Sequence, residues 1–365
     1  MSYEIIIKQP MIPLFKPFIN KDCINELKKV LYSGYIGEGA KVKEFEKLLA
    51  VYLDGYVVLV NSGTSALHLA LHIAGVHSRD VISTPMTCLA TNTPIIQNGG
   101  RIVWADVDPE TGNMDPVSVS KNITRNTKAV VAVHYGGNLC DPELTVICRD
   151  RGLTLIEDCA HLNGPGLGGM QCYSFQAIKH LTTGDGGCLV TKDRKIHDRA
   201  KLLRWYGINR ESGQNMRSMD SIYEAGYKFH MNDIAATIGI SNFEKLGDVI
   251  LKTDNHAQYY NNAFMGLDHI KRVPVLHRND YWLYIILVEK KDKFMEYMED
   301  CGIETSLVHA RNDIQPIFKS SRCKLPGLEK FWEKQVCIPV GWWLTDKQVK
   351  FIADKVRHFN EICSC

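Results

Sequence analysis

Residues 56–74, YVVLVNSGTSALHLALHIA, decide the fold. Tyr56–Val60 is a short, continuous apolar run, as a strand buried on both faces requires. It leads directly into Asn61-Ser62-Gly63-Thr64-Ser65 and then into an apolar helical segment, 66–74. A strand, a small polar loop and a helix start form the recipe for an anion site. Unpaired N–H groups and the positive end of the helix dipole point at the ligand, and Thr64 and Ser65 add hydroxyl donors. The same residues also read as an ordinary N-cap, with Ser62 or Thr64 capping the helix.

Working outward, strands are predicted at 80–84, 101–105, 128–135 and 153–157, alternating with helices at 89–98, 116–123 and 141–151. That alternation predicts an α/β fold with a mainly parallel sheet and helices on both faces. In such sheets ligands sit at the carboxyl ends of the strands. Residues 61–65, Asp158 and His161 all fall at such ends. Upstream, 1–20 is proline-rich and reads as an extended arm. Two helical stretches, 22–33 and 42–49, flank a loop built on Gly34, Gly37 and Gly39. Downstream, helices are expected at 194–206 and 232–266, separated by a polar loop over 209–221. From about 270 the pattern becomes a smaller α/β unit, with strands at 282–288 and 335–340 and helices at 292–301 and 345–359. The expected organisation is an arm (1–20), a large cofactor-binding domain (21–265) and a small C-terminal domain (266–365).

Composition narrows the function. The 365 residues carry 43 Lys+Arg against 41 Asp+Glu, a net charge of +2, so no charge excess points to nucleic acid or a membrane surface. No apolar run approaches the length of a spanning helix, and the N-terminus is too polar around its short apolar run for a secretory signal. The 12 cysteines form no CxxC pair, so neither a zinc site nor a disulfide framework is expected, and the location expected is cytoplasmic.

The chemistry gathers around 171–187, QCYSFQAIKHLTTGDGG. A strand ends near Phe175, Lys179 follows, and a Gly/Thr cluster then lets the backbone turn sharply. Read alone, Lys179 is a solvated surface lysine. It does not stand alone, because an anion-binding helix start and a carboxylate at a strand end, Asp158, precede it by fixed distances. A cofactor with a phosphate, a ring nitrogen that wants a negative partner and an aldehyde that wants an amine uses all three, and pyridoxal phosphate fits. Asp158 then pairs with the ring nitrogen, and Lys179 bonds to the aldehyde and later moves protons. His161 either hydrogen-bonds the ring hydroxyl or packs against the ring; its plainer reading is a satisfied core histidine.

NSGTSALHLAL, IEDCAH, YSFQAIKHLTTGDGG and GYKFHMNDIAATIG, in this order, resemble the DegT/DnrJ/EryC1/StrS family from about Pro13 to Phe359. The resemblance implies sugar aminotransferases of the aspartate-aminotransferase (type I) fold that use pyridoxal phosphate. It implies that Gly63, Thr64, Ser65 and Ser174 hold the phosphate, that Asp158 and His161 meet the ring, and that Lys179 is the Schiff-base lysine. Relatives with histidine at that position are dehydratases, so the lysine implies transamination. In the family a neighbouring subunit completes the site with an asparagine; here Lys228, in Gly226-Tyr227-Lys228-Phe229-His230-Met231, stands in its place, as a phosphate ligand across a homodimer interface. Cys88 stands where the family often has an aromatic stacked on the ring. Tyr35 and Gly37 in GYIGEGAKV, and His309 and Arg311 in SLVHAR, are implied on the substrate side.

The activity implied is transfer of an amino group from L-glutamate to a nucleotide-linked keto sugar. WYGI (205–208) with EAGYKFHMND points to the branch acting at C4 of 4-keto-6-deoxy sugars, as viosamine and perosamine makers do. A UDP- or dTDP-linked substrate is expected. The rivals are a 3-keto sugar enzyme, a GDP-perosamine synthase, a type I enzyme acting on an amino acid alone, and a non-catalytic regulatory protein on the same fold. Retention of Asp158, Lys179 and both phosphate elements weighs against the last.

Overall fold

A computed structural model describes residues 11–210 and 221–364. Ten strands are described: β1 (Tyr56–Val60), β2 (Asp80–Ser83), β3 (Arg101–Trp104), β4 (Thr127–Val133), β5 (Thr154–Asp158), β6 (Met170–Ser174), β7 (Gly187–Thr191), β8 (Ile270–Arg272), β9 (Tyr284–Val288) and β10 (Gln335–Ile338). The first seven form one sheet in the order β1-β7-β6-β5-β4-β2-β3. From β6 to β3 the neighbours are parallel, and β7 alone runs antiparallel to both its neighbours. The predicted α/β fold with a mainly parallel sheet is what the chain adopts, with seven strands in that sheet.

Side-chain alternation explains why both faces are covered. In β1, Val58 and Val60 enter the core shared with the helix Gly63–Ala74, while Val57 and Leu59 enter the core shared with Val42, Phe45 and Leu49 of the helix Ala40–Tyr52. In β4, Val131 joins the first of these, while Val130 and Ala132 turn to Val119, Leu144 and Cys148 of the helices Pro116–Asn122 and Glu143–Asp150. A second, three-stranded sheet, β10-β9-β8, is antiparallel and packs with the helices Lys291–Asp300 and Asp346–Ser364. The helix Leu246–Ala263 enters that second core through Ala257 and Tyr260. Ile12 lies along it as well: its N–H donates to the Gly302 carbonyl and its carbonyl accepts from the Glu304 N–H.

Several elements differ from expectation. The helix predicted over 232–266 is two helices, Asp233–Phe243 and Leu246–Ala263, because the first is closed off by carbonyl contacts at Glu244 and Lys245. The strand predicted to reach Tyr135 stops at Val133, where Gly136 (φ 68°) turns the chain into a short 3-10 segment. Strands β7 and β8 and the helix Pro326–Lys334 were not anticipated. The loop expected at 209–221 falls largely outside the described residues.

Beneath the sheet's carboxyl edge lies a buried polar pair. His134 Nδ1 accepts from the Cys140 N–H at 3.1 Å, and His134 Nε2 meets Glu157 Oε2 at 3.0 Å. Glu157 also accepts from the Leu167 and Gly169 N–H groups at 2.5 and 2.6 Å. Burial pushes this carboxyl upward, but the His134 hydrogen bond and the two backbone donors outweigh it and hold Glu157 below its ordinary value. The pair fixes β4, β5 and the 162–169 turn around Asp158. Removing one partner strands a buried charge, so His134→Ala is expected to lower the unfolding free energy by about 3–5 kcal/mol in urea titration. A loss below about 1 kcal/mol would show that the pair is dispensable.

Candidate active site

A cavity of about 390 Å³ opens at the carboxyl ends of β5 and β6. Gly63, Thr64, Cys88, Asp158, His161, Ser174, Lys179 and His309 all line it. Eight residues singled out from the sequence thus converge from five separate stretches of chain.

One end of the cavity suits an anion. Ser62 caps the helix Gly63–Ala74 by accepting from the Ser65 N–H at 3.0 Å, which leaves the Gly63 and Thr64 N–H groups for a ligand. Ser174 stands against this helix start so closely that a Cβ on Gly63 would lie 2.8 Å from the Ser174 Cβ. Glycine therefore lets the helix start and the Ser174 hydroxyl share one point. Ser65 does not share it: its hydroxyl donates to Asn61 Oδ1 at 2.6 Å, away from the cavity lining, because Ser65 lies on the buried side of the first turn.

The carboxylate of Asp158 is held at both oxygens. Thr91 Oγ1 donates to Oδ2 at 2.6 Å, and the Ala160 N–H donates to Oδ1 at 3.0 Å. Since Thr91 spends its proton there, the Thr87 hydroxyl 2.7 Å away donates to Thr91. His161 is buried, and its Nδ1 accepts from the Gly136 N–H at 3.1 Å. Burial, and then the Lys179 charge, push His161 well below its ordinary value, so the ring is neutral with its proton on Nε2. His161 is thereby a hydrogen-bond donor.

Lys179 is half-buried and lines the cavity. Enclosure pushes its amine down to about 7, against the opposing pull of Asp158 and Cys88. The Nζ lies 3.4 Å from the centroid of the Trp282 ring, which stacks on His161 at 3.9 Å and 18°. His309 lies parallel to His161 at 5.9 Å, and its buried Nε2 has no hydrogen-bond partner among the described residues. Burial and the Lys179 charge lower it to about 4, so it too is neutral.

Four other predicted residues lie elsewhere in this chain. Tyr35 lines a separate cavity of about 780 Å³ with Glu38, Arg204 and Arg210. The Gly37 carbonyl accepts from the Asp233 N–H. Arg311 forms a two-point ion pair with Asp313 at 2.8 and 2.7 Å and does not line the Lys179 cavity. Lys228 Nζ sits 3.9 Å over the Trp205 ring, outside the Lys179 cavity. Thr87, Thr91 and Trp282 were missed. The threonines stood in TPMTCLATNT, but Thr87 precedes the helix Leu89–Gln97 that carries Thr91, so no periodicity linked them. Nothing in the sequence distinguished Trp282 from a core strand residue.

The family model for DegT/DnrJ/EryC1/StrS aminotransferases matches residues 17–357. The chain is 30% identical to dTDP-4-dehydro-2,3,6-trideoxy-D-glucose 4-aminotransferase of Saccharopolyspora spinosa, over 95% of this chain and 96% of that protein. It is 28% identical to GDP-perosamine synthase of Escherichia coli O157:H7, over 95% and 98%. The crystal structure of the sugar aminotransferase CalS13 from Micromonospora echinospora superposes with a TM-score of 0.91 at 36% identity, covering 95% of this chain and all of that one. The chain belongs to the DegT/DnrJ/EryC1/StrS aminotransferase family, whose members are pyridoxal-phosphate-dependent sugar aminotransferases.

The lysine's surroundings can be measured. Competitive acetylation of the cofactor-free full chain across pH, read by mass spectrometry, is expected to titrate Lys179 with a midpoint near 7. A midpoint near the ordinary lysine value of about 10.4 would contradict the enclosure.

Proposed function

We propose that this member of the DegT/DnrJ/EryC1/StrS family transfers an amino group from L-glutamate to C4 of a nucleoside-diphosphate-linked 4-keto-6-deoxy sugar. The observation that carries the reading is the convergence of Lys179, Asp158 and the start of the helix Gly63–Ala74 on one cavity of about 390 Å³. Those are the three groups that pyridoxal phosphate demands, and the cavity is of ligand size. The S. spinosa relative, which acts at C4 of a dTDP-linked sugar, supports the position assigned.

The residues divide the work by their chemistry. Gly63 and Thr64 offer backbone N–H groups and Ser174 a hydroxyl to the phosphate. Asp158, fixed by Thr91 and the Ala160 N–H, presents a negative charge to the ring nitrogen. His161, whose Nδ1 accepts from the Gly136 N–H, would offer its Nε2 proton to the ring oxygen. When bound, pyridoxal phosphate supplies an electron sink for the charge left on a carbon that has lost its proton. Lys179 would hold the cofactor through its amine and, when free, would take up and return a proton at Nζ. An amine near 7 does both close to neutral pH.

Cys88 leaves its side of the cavity more open than an aromatic would. His309 Nε2, buried without a partner among the described residues, is a substrate-side contact. Lys228 serves the phosphate in a second copy of the chain as a point charge, within a homodimer. Tyr35 and Gly37 stay assigned to the substrate side. All described cysteines are free thiols, which supports a cytoplasmic location. No helix among the described residues is long and apolar enough to cross a membrane.

The test is incubation with L-glutamate and a panel of UDP-, dTDP- and GDP-linked keto sugars, with the new amine located by NMR. An amine at C4 of a 4-keto-6-deoxy sugar is expected. An amine at C3, or turnover of free amino acids alone, would replace the reading with a rival one.

A further inference from the structure

Trp282 touches the lysine segment twice. Its indole N–H donates to the carbonyl of Ile178, the residue before Lys179, at 3.0 Å. Its ring face lies 3.4 Å from Lys179 Nζ, well within the range in which an aromatic quadrupole attracts an ammonium. One contact fixes the backbone that carries the lysine, and the other meets the amine. The ring is itself immobilised: Trp282 is only 4% exposed, stacks on His161, and stacks on Phe15 of the arm at 5.1 Å and 23°. The contact brings together stretches 104 residues apart in the chain. Burial of an aromatic in a core requires neither a carbonyl partner beside a lysine nor a ring face turned to its amine.

We propose that Trp282 is the positioning residue of Lys179: its ring face is the resting place of the ammonium whenever the amine is not bonded to cofactor, and its indole N–H returns the lysine to the same point. The inference rests on the proposed role of Lys179, but not on any turnover measurement. Other groups also face this amine. Asp158 and Cys88 favour its charged form. His161, His309 and His180 are held neutral by burial, the last two at about 4, and the Lys179 charge adds to that in all three. Asp185 lines the exposed rim of the same cavity. Against this background the ring face adds a contact that favours the ammonium, so its removal favours the free amine.

Competitive acetylation of Lys179 in the cofactor-free full chain reads this directly. In Trp282→Leu the Lys179 midpoint is expected to fall by about one pH unit, or about tenfold faster labelling below both midpoints. Trp282→Phe keeps a ring face and loses the N–H, and is expected to stay within about 0.3 units of the parent. Phe15→Leu loosens the packing but keeps the indole, and is expected to leave the midpoint in place. A midpoint that stays or rises in Trp282→Leu overturns the proposal, as does a fall of a full unit in Phe15→Leu. If Trp282→Leu does not fold, Trp282→Phe decides: an unmoved midpoint supports the ring-face role and a full-unit fall overturns it. Covalent attachment of pyridoxal phosphate at Lys179 in the parent protein is read separately, so loss of the positioning role and loss of the lysine's own role give different results.

Discussion

Taking the Lys179 amine out of bulk water is the constraint around which the site is built. An ammonium without its hydration is costly, and enclosure brings this one down to about 7 even against the upward pull of Asp158 and Cys88. Compensation comes from Asp158 at the end of β5, Cys88 at a helix start and the ring of Trp282. Asp158 and Trp282 are buried and must be satisfied in turn. Asp158 takes the Thr91 hydroxyl and the Ala160 N–H, Thr87 donates to Thr91, and Trp282 is tied to Ile178. His161 is locked into a donor state by the Gly136 N–H. The same low-dielectric enclosure that penalises the ammonium gives the lysine a proton affinity suited to carrying protons near neutrality.

The sheet makes this arrangement possible. Parallel pairing of β4, β5 and β6 brings the carboxyl ends of β5 and β6 to one edge, where Asp158 and Ser174 sit. The antiparallel β7 inserts between β6 and β1 and so draws the Asn61–Ser65 turn alongside Ser174. A Cβ on Gly63 would collide with Ser174, which shows how tightly the two phosphate elements are pressed together. Below the edge, Glu157 and His134 anchor the strand ends and the 162–169 turn.

Much of this was legible in the sequence, for physical reasons. The apolar runs of β1 and β4 and the helical periodicities between strands report burial on both faces of a sheet. The small polar loop at 61–65 reports an anion site, because helix geometry leaves N–H groups there. Other parts were hidden. Strand β7 is five residues long and starts at Gly187, directly after a glycine turn, so its apolar core is too short to separate from a loop. The inward turn of Ser65 depends on which side of the first helical turn meets Asn61, a tertiary fact. Arg311 looked available until Asp313, two residues on, proved to hold it. Trp282 read as a strand residue because its partners, Ile178, Lys179, His161 and Phe15, are all distant in sequence.

The claim on which everything else rests is that Lys179, and no other lysine, bonds the cofactor. Loading the purified chain with pyridoxal phosphate, reducing it with borohydride and mapping the peptides locates that bond by mass. The account predicts a single pyridoxyl group on Lys179. A pyridoxyl group on another lysine, or none at all, would contradict it.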